Sequence, residues 1–174
     1  MKNIILVGLK GTNKSEIGEE LAHRLKMKFI DTDDIMKRES GLDLPELLKK
    51  VGEKQFRFLE NSIIEEISNV SDTIIVVGSV SILNRKNIKV LKQNGLVVSL
   101  ITSKINFNRN KYKDEKSQLL RQWNQVFQSA KSILNLKTPS FPAADYIVDV
   151  TDLSTEKTSQ KIIEKYGEGG INLD

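Results

Sequence analysis

The chain has 174 residues, the length of one ordinary domain, and a chain of this size buries about 70% of the surface that its unfolded form exposes. It contains no cysteine and a single histidine, His23, so disulfides and thiolate nucleophiles are excluded, multi-histidine metal centres are ruled out, and a Ser/His catalytic pair is disfavoured. Lys+Arg 27 against Asp+Glu 23 leaves a net charge of +4, a mild preference for anionic ligands, and the absence of a basic block makes most of these charges solvated helix faces, as around Lys49, Lys50, Glu53 and Lys54.

Residues 4–7 form the first apolar run, too short for a signal-peptide core or a membrane span, and a soluble, cytoplasmic protein is expected. Three runs, 4–7, 73–77 and 96–100, are β-branched and hydrophobic throughout rather than alternating, the pattern of strands buried on both faces of a parallel sheet. Residues 29–30 and 146–150 read as two further strands. Helical patterns cover 16–26, 34–39, 44–51, 53–67, 86–93 and 155–166. In the fourth of these, Phe56, Leu59, Ile63, Ile64 and Ile67 recur at three- and four-residue steps and form a core-facing stripe. Residues 106–117 lack periodicity and carry many charges, so a loop or lid is expected there, with Trp123 beyond it as a helix-core or lid-anchoring residue. The glycine-rich 167–174 reads as a flexible tail. The expected fold class is α/β, three layers (α/β/α) with a central parallel sheet of about five strands.

Chemistry concentrates directly after the first strand, in Gly8-Leu9-Lys10-Gly11-Thr12-Asn13-Lys14-Ser15 followed by a helix. The phosphate-binding pattern G-x-x-x-x-G-K-[ST] wraps backbone N–H groups around phosphate oxygens, and Asn13 stands where its second glycine belongs. Asparagine enters left-handed backbone conformations more readily than most residues, so it is the least awkward replacement. Lys14 would neutralise a transferring phosphate, Ser15 would ligate Mg2+, and the helix N-terminus adds a favourable dipole. Asp31-Thr32-Asp33-Asp34 follows the second strand. Carboxylates there, beside the phosphate loop, can bind Mg2+ water and accept a hydroxyl proton, while Asp33 or Asp34, the latter preferred, can instead cap the next helix.

The loop, the Asp31–Asp34 stretch, the Phe56-Arg57 pair and the ending Ala144-Asp145-Tyr146-Ile147-Val148-Asp149-Val150 together resemble shikimate kinase, from Asn3 to about Lys165. The resemblance implies a single P-loop kinase-like domain over 1–166 with a lid at approximately 106–121, using ATP and Mg2+. It implies nucleotide binding by Gly8, Gly11, Thr12, Asn13, Lys14, Ser15 and Arg109, with Asp31 and Ser15 on the metal side. It also implies that Asp33 and Lys14 are catalytic, and that Asp33, Arg57, Gly78 and Lys137 hold the acceptor. Arg57 suits a carboxylate through its planar fork, although a surface ion pair with Glu53 or Glu60 is its plain alternative.

The chain departs from the family pattern at several places. Gly78-Ser79-Val80 replaces three glycines, Ser117 occupies the lid arginine position, and Lys137 replaces a second substrate arginine. Three readings follow: phosphorylation of the 3-hydroxyl of shikimate, a catalytically lapsed homologue acting as a nucleotide-binding or interaction module, and a kinase for another hydroxylated acid. The expected partners are ATP and a small acid such as shikimate, with no nucleic acid or membrane and a monomeric state.

Overall fold

The computed structural model describes residues 2–8, 11–78, 85–102 and 144–168. Five strands form one sheet in the order β2-β3-β1-β4-β5, every neighbouring pair parallel: β1 (Asn3–Gly8), β2 (Lys28–Asp31), β3 (Thr73–Val76), β4 (Gly95–Ile101) and β5 (Tyr146–Asp149). Parallel neighbours need crossovers, and helices lie in them: α1 (Lys14–Leu25) between β1 and β2, α2 (Thr32–Ser40) and α3 (Leu44–Ile67) between β2 and β3, and α4 (Arg85–Lys92) between β3 and β4; α5 (Thr155–Glu168) follows β5.

The uniformly apolar runs have the burial their composition implies. In β1 every residue is buried, and alternation divides its side chains between two cores. Ile5 and Val7 join Ile75, Val97 and the stripe Phe56, Ile63, Ile64 and Ile67 on one face. Ile4 and Leu6 join Ile17, Leu21, Ile74, Val98 and Ile162 on the other. Leu59 of the stripe is only partly buried and packs against the first core.

The sequence patterns at 44–51 and 53–67 meet at Gly52, whose φ of 79° and ψ of 165° break the helical backbone within α3. Most element ends shift by a residue or two from expectation, and two of these shifts matter. The second helix begins at Thr32 rather than 34, and its N-cap is Asp31, whose side chain accepts from the Asp33 N–H; Asp34 lies in the first turn. An extended Asp31 at the last position of β2 can both close the strand and cap the helix, which leaves no capping task for Asp34. The final helix continues through Glu168, so the first two residues of the expected tail are helical. The lid at 106–121, with Arg109 and Ser117, and also Ser79, Val80, Trp123 and Lys137, lie outside the described residues.

Because Ile5 is fully buried at the sheet centre, Ile5→Ala is expected to cost about 2–5 kcal/mol in urea unfolding, whereas Lys49→Ala on an exposed helix face should stay within about 0.5 kcal/mol.

Candidate active site

The site assembles at the carboxyl edge of the sheet, where β1, β3 and β2 end side by side. Gly8 closes β1 with no room for a side chain: a Cβ would lie 2.7 Å from the Leu100 carbonyl oxygen and 2.9 Å from the Thr12 hydroxyl. Thr12 is buried beneath the turn, and Gly11 takes a φ of 98°. Asn13 follows with φ 53° and ψ 36° in the left-handed region, and its side chain makes no capping hydrogen bond. The position that calls for glycine therefore keeps its backbone shape with asparagine, and the Asn13 carbonyl starts α1 by accepting from the Ile17 N–H at 3.0 Å.

From the start of α1, Lys14 and Ser15 face the end of β2. The Ser15 hydroxyl donates to Asp31 Oδ2 at 2.7 Å, and Asp31 Oδ1 accepts the Asp33 N–H at 2.9 Å. Burial pushes the Lys14 ammonium below its usual range, opposed by the negative charge of Asp33 and Asp31. Asp33 is pushed up to about 6, first by burial and then by Asp31; Lys14 pulls it back, Glu60 adds to the rise, and Lys37 opposes it.

Beside Asp33 the edge is completed by α3 and the end of β3. Arg57 donates from Nη1 to Glu60 Oε2 at 2.7 Å, and the Glu60 side chain is buried. The ion-pair alternative for Arg57 is thus realised on the same α3 turn whose Glu60 acts electrostatically on Asp33. Gly78 lies directly against Asp33, since a Cβ there would fall 2.2 Å from Asp33 Oδ1. Its N–H donates to the Thr32 hydroxyl at 3.0 Å. Of the residues expected at the site, Gly8, Gly11, Thr12, Asn13, Lys14, Ser15, Asp31, Asp33, Arg57 and Gly78 belong to this edge. Sequence reading passed over Thr32 and treated Glu60 only as an ion-pair partner. A hydroxyl between two carboxylates was the available signal for the first; nothing local marked the second.

Ser15 and Asp31 present two hard oxygen donors already in contact, and Asp31 and Asp33 repel each other, so a small cation suits them. Among the described residues no group of three or more His, Cys, Asp or Glu could hold a metal. The remaining ligands would come from water and phosphate, the coordination Mg2+ prefers.

Sheet, loop and helix define a P-loop phosphotransferase fold, with the phosphate loop joining its first strand to its first helix. A family model for shikimate kinase matches residues 10–167. The chain is 31% identical over 166 residues to the shikimate kinase of Thermodesulfovibrio yellowstonii, covering 95% of each. It is 32% identical to that of Caldanaerobacter subterraneus subsp. tengcongensis, covering 95% of this chain and 96% of the relative. Among solved structures, the Acinetobacter baumannii shikimate kinase in complex with shikimate superposes with a TM-score of 0.79 at 26% identity, covering 99% of this chain and 96% of that one. This chain belongs to the shikimate kinase family.

Two outcomes are expected. A β-branched residue in the left-handed region is strained by about 1–2 kcal/mol, so Asn13→Val should lower both stability and ATP affinity, while Asn13→Gly should preserve both; calorimetric titration with ATP and urea unfolding check this. Asp33 has a native pKa raised from 3.8 to about 6, so its contribution favours the native state below 3.8 and is lost as pH rises through about 6. Relative to Asp33→Asn, the metal-free wild type should therefore lose stability between pH 4 and 7, read as urea midpoints of the two proteins across that range.

Proposed function

We propose that the chain transfers the γ-phosphoryl group of ATP to the 3-hydroxyl of shikimate. The observation that carries this reading is the convergence of Lys14, Ser15, Asp31 and Asp33 at one edge of the sheet, in a chain of the shikimate kinase family.

In this reading the loop at Gly8, Gly11, Thr12 and Asn13 binds the phosphates through backbone N–H groups, and Lys14 offsets the charge that spreads over the transferring oxygens. Arg109 is assigned to the adenine side. Ser15 and Asp31 would hold Mg2+, which would supply charge neutralisation to the phosphates. Asp33 takes the acceptor proton: the hydroxyl oxygen bonds to the γ-phosphorus, the bond from phosphorus to the bridging oxygen breaks, ADP departs, and the proton passes to the Asp33 carboxylate. A carboxylate with its affinity for protons raised toward neutrality is a better acceptor than an ordinary one.

Arg57, held beside buried Glu60, binds the substrate carboxylate through its planar guanidinium, and Gly78 lets the ring approach the backbone beside Asp33. Lys137 adds a second positive charge for the same carboxylate. The proposal includes a cytoplasmic monomer whose partners are ATP and a small acid, with neither nucleic acid nor membrane. No helix among the described residues is long and apolar enough to cross a membrane.

The test is coupled turnover with ATP, Mg2+ and shikimate. The wild type should turn over only with shikimate present, and Lys14→Met and Asp33→Asn should each lose about 10²- to 10⁴-fold in kcat. Arg57→Lys should act mainly on the KM for shikimate through loss of the fork. ATP binding without turnover would replace the proposal with the lapsed-homologue reading. Turnover confined to another polyhydroxy acid would move the acceptor assignment.

A further inference from the structure

The β2–β3 ladder pairs Asp31 with Val76 and stops there, because the chain enters α2 at Thr32. Two residues later on the β3 side, the Gly78 N–H is buried and needs an acceptor that no strand provides. The Thr32 hydroxyl accepts it at 3.0 Å, and Thr32 is itself buried. Immediately before, the Val77 N–H donates to the Leu6 carbonyl at 3.0 Å, so the segment leaving β3 is held to β1 at one residue and to α2 at the next. The second attachment decides where Gly78 lies relative to Asp33, whose carboxylate rests against the Gly78 backbone.

We propose that Thr32 is a positioning residue for phosphoryl transfer: through its hydroxyl it fixes the Gly78 backbone as one wall of the acceptor site, against the Asp33 carboxylate. The inference rests on the reading of Asp33 as the proton acceptor. Neither neighbour performs this task, since Asp31 is engaged by Ser15 and by the Asp33 N–H, and Asp33 faces Gly78 with its carboxylate. A β-branched residue with a hydroxyl satisfies both demands, being small enough to be buried at the first turn of α2 and able to accept from a backbone N–H.

Thr32→Val keeps the shape and removes the acceptor; Thr32→Ser keeps the acceptor. In full-length protein, Thr32→Val is expected to lower kcat with shikimate by about tenfold to a hundredfold, the scale of a displacement near 1 Å, with the KM for ATP within about twofold of wild type. Thr32→Ser should restore kcat to within about threefold, as expected when the hydrogen bond is restored. Hydrogen exchange at the Gly78 amide should be slow in wild type and in Thr32→Ser and faster in Thr32→Val.

A Thr32→Val variant with wild-type kcat, or an equal fall in kcat in Thr32→Ser, would overturn the proposal. So would a wild-type Gly78 amide that exchanges at the free-chain rate, a measurement that stands even where Thr32→Val fails to fold. A wild type with no shikimate-dependent turnover would overturn the functional reading and the positioning role together, while a protected Gly78 amide would still separately establish the tether.

Discussion

A single carboxylate, Asp31, joins the pieces of chain from which the site is made. One of its oxygens takes the Ser15 hydroxyl from the start of α1, and the other takes the N–H of Asp33 at the start of α2. The second is a local helix cap, but the first bridges two segments and depends on the strand order. The strand β3 lies between β1 and β2, so the helix that follows β1 and the helix that follows β2 begin along one continuous edge. Parallel pairing throughout puts both starts at the same end of the sheet, and the N-terminus of α1, directly after the phosphate loop, is an end that favours an anion.

The electrostatics follow from that convergence. Burying Lys14 disfavours its charge, burying Asp33 disfavours its own, and the two partly relieve each other. The relief is incomplete for Asp33, because Asp31 stands two residues away and Glu60 approaches from α3. The scaffold thus maintains an excess of negative charge beside a buried cation, an arrangement that an isolated segment of this chain would not hold. The two apolar cores on either side of the sheet supply the stability that such an arrangement lacks.

Much of this was legible in the sequence, for local reasons. Apolar runs without alternation announced strands covered on both sides, and the parallel sheet bears this out. The break between the patterns ending at Val51 and starting at Glu53 marked Gly52, where the helical backbone is interrupted. The loop residues were readable because their chemistry is contiguous. Contacts across long sequence separations were not. Gly78 meets Asp33, and Thr32 meets Gly78, only through the register of β2 on β3. The cap is hidden for a different reason: in the sequence Asp31 reads as a metal-side ligand, and only the fold shows its two oxygens serving separate partners, the Ser15 hydroxyl and the Asp33 N–H.

Asn13 changes the weight of the sequence departures. The pattern asks for glycine there, but the physical requirement is a backbone in the left-handed region with its N–H groups turned to the phosphate. Asn13 adopts that backbone, and its side chain is exposed rather than folded back onto the helix start. Gly8 and Gly78 are different in kind, because neighbouring atoms occupy the space that a Cβ would need. At Gly8 and Gly78 contact leaves no alternative to glycine, whereas at Asn13 conformation is the requirement and a non-glycine residue meets it. Substitution of that sort keeps the backbone shape that a phosphate loop needs.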